Sequence, residues 1–198
     1  MANYKVNINS VKRNLMVSNN QLKALATNAA NRKFITSKTE LLNSFDEHPV
    51  TEELAGGADS GNVTESLADG NLYGFIGFSD SDPIAPLREI IEDETVINLN
   101  NPKTNIRGNK FLYSFNVKTP TKSSIESVTP MPEEWSSGSW ATKVEKAISG
   151  LEYYLFTRKA ASRSGAGIQS KSKVRSDRFN GVDYLTGLFR KFKERLQR

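Results

Sequence analysis

Apolar residues along the chain change period from one stretch to the next. Leu22, Leu25, Ala26, Ala29 and Ala30 recur every three or four positions, and Phe34, Leu41, Leu42 and Phe45 continue the stripe. That spacing predicts a long helix to about Asp46, unbroken or interrupted near Ile35-Thr36, with Ser18 to Gln21 as a capping box and Pro49 as the latest stop. From Ala55 to Gly70 the sequence is rich in Gly, Asp and Ser, with only Val63 and Leu67 to bury, and reads as a long mobile acidic loop. Leu72 to Phe78 reads as a strand in which Gly74 and Gly77 mark a bulge or close approach. A turn at Ser79 to Pro83 and a short helix from about Ile84 to Ile91 follow.

Thr95 to Leu99 and Lys110 to Val117 read as two further strands around an Asn/Pro/Gly-rich turn containing Pro102 and Gly108. Phe111, Tyr113, Phe115 and Val117 give the second a buried and an open face. Residues 119–138 read as an extended connector. Trp140, Val144, Ile148, Leu151 and Leu155 predict a second long helix from about Ser139 to Phe156. Residues 157–178 are basic and small, and a final amphipathic helix carries Val182, Leu185, Leu188, Phe189, Phe192 and Leu196 on one face. The expected class is α+β: a small antiparallel sheet of at least three strands packed on the long N-terminal helix, with a second long helix, extended loops and a C-terminal helical arm. The expected organisation is a core domain over 1–156, with an acidic loop near 55–70, and a basic flexible segment with an amphipathic helix over 157–198.

With 198 residues, one domain or one domain with appendages is expected. No cysteine is present, which excludes disulfides, thiolate metal sites and a cysteine nucleophile, and His48 is the single histidine. The start has no apolar run of signal-peptide type and no window approaches a membrane span, so a cytoplasmic place of synthesis and no membrane partner are expected. Charge is segregated. Residues 39–94 hold 14 acids against one base, Arg88, a net of −13, whereas residues 135–198 hold 14 bases against five acids, a net of +9. Such a dipole is neutralised within one fold, across neighbouring copies in a head-to-tail ring, or by nucleic acid at the basic end.

No candidate chemistry outlasts its plainer explanation. The glycines of Gly70 to Gly74 lack GxGxxG spacing and a Walker lysine. Asp80-Ser81-Asp82 lacks the rest of a calcium loop and fits an Asx turn. His48, beside Asp46, Glu47 and Glu52, has no accompanying nucleophile, and Glu89, Glu92, Asp93 and Glu94 read as a solvated face rather than a metal site. No catalytic residue, metal site or cofactor is expected. The candidate interface residues are the bases Arg158, Lys159, Arg163, Lys171, Lys173, Arg175 and Arg178, which have no aromatic among them to stack on bases, and the apolar row Leu185, Leu188, Phe189 and Phe192.

Five blocks carry a resemblance. His48-Pro49-Val50-Thr51-Glu52-Glu53-Leu54, Gly70-Asn71-Leu72-Tyr73-Gly74-Phe75-Ile76-Gly77-Phe78 and Asp82-Pro83-Ile84-Ala85-Pro86-Leu87 resemble the N-terminal half of neck and tail-completion virion proteins of contractile-tailed bacteriophages. Trp135 to Trp140 and Glu145 to Leu155 are similar to the second half of that group, so the resemblance covers about residues 45–160. The Ala55 to Gly70 insertion departs from the family's usual approach to its Gly-Asn-Leu pair. The resemblance implies a non-enzymatic ring subunit, assembled in the bacterial host cytoplasm and resident in the virion neck, joining the capsid connector to the tail tube. Its implied partners are copies of itself, other neck and tail-tube or tail-terminator proteins, and packaged DNA through non-specific contact. The competing expectation is a small nucleic-acid-binding protein using the basic C-terminal segment, against which the −13 region argues by repelling a duplex.

Overall fold

The computed structural model describes residues 20–65, 67, 70–107, 110–132, 137–150 and 184–197. The chain is α+β. The long stripe forms one unbroken helix, α1 (Asn20–Asp46), of 27 residues, about 40 Å long. Its apolar face is buried only from Phe34 onward, through Leu41 and Phe45, while Leu25 is 65% exposed. Length explains this: the helix laid along it, α7 (Tyr184–Gln197), has 14 residues, about 21 Å, so α1 outruns its cover.

Pro49 stops α1 but immediately begins α2 (Pro49–Ala55), where a proline in the first turn loses no helical hydrogen bond. A single 3-10 turn follows at Gly57–Asp59. The expected strand over 72–78 is instead a short helix, α3 (Leu72–Ile76). Asn71 caps it by accepting from the Gly74 N–H at 2.9 Å, and Gly77, at φ 99°, closes it in the left-handed region that favours glycine. The two glycines therefore mark a helix interior and a helix end, not a bulge. The turn and α4 (Ile84–Glu94) fall where expected, with Asp82 Oδ1 accepting from the N–H groups of Ile84 (2.8 Å) and Ala85 (3.1 Å) in an Asx-type cap.

The sheet is one antiparallel ribbon, β1 (Val96–Arg107) paired with β2 (Lys110–Lys118). Asn98 lies opposite Asn116 and Lys103 opposite Ser114, so five steps on β1 match two on β2 and three extra residues bulge out around Pro102. Pro102 lacks the N–H that a continuous ladder needs, which places it in this interruption rather than in the hairpin turn. Residues 119–138 are not wholly extended: Thr121 caps α5 (Lys122–Val128), and Pro130 forms an isolated bridge with Ser139. Helix α6 (Trp140–Gly150) begins the second predicted helix, whose continuation to Phe156 lies outside the described residues.

The core gathers Phe34, Leu41 and Phe45 of α1, Val50 and Leu54 of α2, Leu87 and Ile91 of α4, Trp140 and Val144 of α6, and Tyr184, Leu188 and Phe192 of α7. Helix α7 is thus part of the main core. The expected division at residue 156 does not separate a core from an arm, because without α7 the faces of Phe34, Phe45 and Val144 would lack a cover.

Candidate interaction surfaces

Helix α7 is fixed at both ends. At its start the Glu145 carboxylate of α6 accepts from the backbone N–H groups of Leu185 (2.8 Å) and Thr186 (3.2 Å), satisfying donors that have no intrahelical partner and placing negative charge at the positive end of the helix dipole. Tyr184 stacks on Phe45 at 6.1 Å, lies 4.7 Å from the His48 ring, and shares a 2.8 Å hydrogen bond between its hydroxyl and Thr51 Oγ1. Burial raises the Tyr184 phenol above its ordinary range, so it stays protonated. Farther along, Phe192 meets Phe34 edge-on at 6.2 Å and Arg195 pairs with Glu40 at 3.1 Å.

This docking corrects the expected interface. Leu185, Leu188 and Phe192 lie inside the protein's own core, because the face they share meets α1 and α6. Phe189 is half-buried and lies at the edge of a groove of about 340 Å³ lined by Ile125, Ala141, Leu185 and Phe189, with Lys122 and Thr142 at its sides. The bases Arg158, Lys159, Arg163, Lys171, Lys173, Arg175 and Arg178 lie outside the described residues.

His48 is structural where sequence alone leaves a base in view. Its Nδ1 accepts from the Val50 N–H at 3.2 Å, capping α2, and burial, helped by the positive charge of Lys191, holds its pKa down at about 4. It is therefore neutral near pH 7, with its proton on Nε2. On α4, Arg88 reaches Asp46 at 2.9 Å and Glu92 at 3.1 Å, while Glu89 and Asp93 stay exposed. No three His, Asp or Glu side chains among the described residues converge as metal ligands, and no helix among them is long and apolar enough to cross a membrane.

No known protein family, characterised protein or solved structure matches the chain. The surface features therefore rest on their own geometry. One of them centres on Glu53, a fully buried carboxylate that sequence reasoning passes over. Its Oε2 accepts from the Thr64 N–H at 2.7 Å and its Oε1 from the Leu72 N–H at 2.6 Å. Asn71 adds donor bonds to the carbonyls of Gly57 (3.2 Å), Ala58 (3.0 Å) and Ser60 (2.7 Å). The described part of the expected mobile loop is thereby tied to α2 and α3. Glu53 had one readable signal: it falls beside Val50 and Leu54 on the helical wheel, where a solvated glutamate would not sit. On α3, whose first N–H this carboxylate holds, Phe75 is 71% exposed.

Proposed function

We propose that the protein is a structural ring subunit of the neck or tail-completion region of a contractile-tailed bacteriophage, joining the capsid connector to the tail tube. The observation that carries this reading is the separation of charge and apolar surface between two parts of one compact core. Residues 47–94 are acidic and expose Phe75, whereas α7 carries the exposed bases Arg190, Lys191 and Lys193. Unlike charges on different faces of one subunit favour head-to-tail association and fix its register. The resemblance of residues 45–160 to neck and tail-completion proteins supplies the setting, and the single histidine, which caps a helix, leaves no general base of that type for catalysis. Packaged DNA is a secondary contact of the basic C-terminal region in this reading.

The reading is tested by adding the purified chain to tails that lack their completion protein and scoring joining to filled heads, alongside a DNA gel shift over a salt series. Joining with only weak, salt-sensitive DNA retention is expected. Tight DNA binding without joining would replace this reading with the nucleic-acid one.

A further inference from the structure

We propose that the open face of the β1–β2 ribbon is a backbone contact for duplex nucleic acid. The inference goes beyond the ring-subunit reading, which gives DNA contact only to the basic C-terminal region. Along β2 exposure alternates residue by residue: Leu112, Ser114, Asn116 and Lys118 are exposed, whereas Tyr113, Phe115 and Val117 are half-buried. The register sets Asn105, Lys103, Asn98 and Val96 opposite those four exposed positions in turn, and all four partners are exposed as well. The next rung on that face pairs Arg107 with Lys110. The opposite side carries Ile97 and Val117, which pack against the core, so the ribbon turns its back to the protein and its open face away from it.

Charge and residue type select the occupant. From Val96 to Lys118 the chain has four bases, Lys103, Arg107, Lys110 and Lys118, and no acid. All four occupy open-face positions, interspersed with Asn98, Asn105, Asn116 and Ser114. Lysine and arginine neutralise phosphates, and amides and hydroxyls donate to phosphate and sugar oxygens. The apolar residues of this face are Val96 and Leu112, each 43% exposed. Two isolated aliphatic side chains do not make the apolar, aromatic core of a protein interface, where lysine is depleted, but they suit the polar, positive interface that nucleic acid takes. A second ribbon laid along the first would set bases against bases, so pairing of ribbons between copies is disfavoured. The eight steps from Lys110 to Lys118 make the face about 27 Å long, and two strands about 4.8 Å apart form a ribbon narrow enough for the major groove, about 12 Å wide.

The test combines Lys103→Gln, Arg107→Gln and Lys110→Gln in the full chain, with thermal unfolding to confirm the fold, and measures fluorescence anisotropy of a labelled mixed-sequence duplex over a salt series. Each phosphate contact adds about 0.9 to the steepness of log K against log salt, so the triple variant should bind roughly tenfold or more weakly, with a slope shallower by about 2.7. A companion variant, Lys171→Gln with Lys173→Gln and Arg175→Gln, separates the C-terminal bases from the ribbon. A triple variant that keeps the wild-type slope while the companion loses it overturns the proposal, as does a wild-type chain that leaves the duplex free at low salt. Because the chain has no cysteine, Leu112→Cys places a single photo-crosslinker on the open face and reads the contact without removing any base. Adducts with the duplex are expected. Adducts with a second copy of the chain in the presence of duplex would assign the face to the acidic 47–94 region of a neighbour and overturn the nucleic-acid contact.

Discussion

Glu53→Ala removes a carboxylate that accepts two backbone N–H groups in a site without solvent. Charge-assisted hydrogen bonds contribute about 1.5–3 kcal/mol each, and both donors, the N–H groups of Thr64 and Leu72, belong to buried residues. Two such bonds give an upper figure of about 6 kcal/mol; sharing of one carboxylate and relaxation of the loop bring the expected loss to about 3 kcal/mol. For a chain of this size that is a fall in Tm of roughly 6–12 °C. Glu53→Gln keeps one acceptor oxygen but turns an NH2 toward the second donor, so it should recover less than half of the loss. Thermal unfolding gives the magnitude, and amide exchange locates it: Thr64 and Leu72 should lose protection far more than the α1 amides near Leu41. Both variants falling within about 0.5 kcal/mol of wild type would refute the clamp.

Lowering pH should destabilise the protein through His48. Its folded pKa of about 4 lies below the ordinary 6.5, so the unfolded chain binds the proton first and stability is lost as pH falls from about 6.5 to 4, by up to about 3 kcal/mol. His48→Asn, which keeps a capping oxygen and does not titrate, should flatten that part of a Tm-against-pH curve; an unchanged slope would exclude His48 as its source. Phe192→Ala should cost about 3–5 kcal/mol in denaturant unfolding, and Tyr184→Phe, which loses only the Thr51 hydrogen bond, about 1 kcal/mol. If both are near neutral, α7 is not docked as described. Thr95→Val should be neutral or stabilising by about 1 kcal/mol, because Thr95 Oγ1 is fully buried without a hydrogen-bond partner among the described residues; a clear loss of Tm would show that the hydroxyl is satisfied.

Long periodic elements were legible in the sequence because burial imposes their period. The helix ending at Asp46, the two paired strands, the start of the second long helix at Trp140 and the apolar row of α7 all follow that rule. The 72–78 segment misled because Leu72, Tyr73, Phe75, Ile76 and Phe78 are apolar enough for a strand, and the deciding signal is local: Asn71 three residues before Gly74, and Gly77 in the closing position. The destination of the α7 row was not legible. A basic amphipathic helix looks the same whether it covers its own core or a neighbour's, and only the positions of Phe34, Phe45 and Tyr184 distinguish the two. The exposed Phe75 and the groove were equally hidden, since both arise from how separate segments meet. Charge segregation was legible from where the acids and bases fall along the chain.

The proposed role is that of a ring subunit joining the capsid connector to the tail tube. Negative-stain imaging of the purified chain, alone and mixed with tail tubes, tests it most directly. Rings of uniform diameter seated at one end of the tubes are the predicted result. Tubes whose ends stay bare, with the protein dispersed as single subunits in the background, would contradict it.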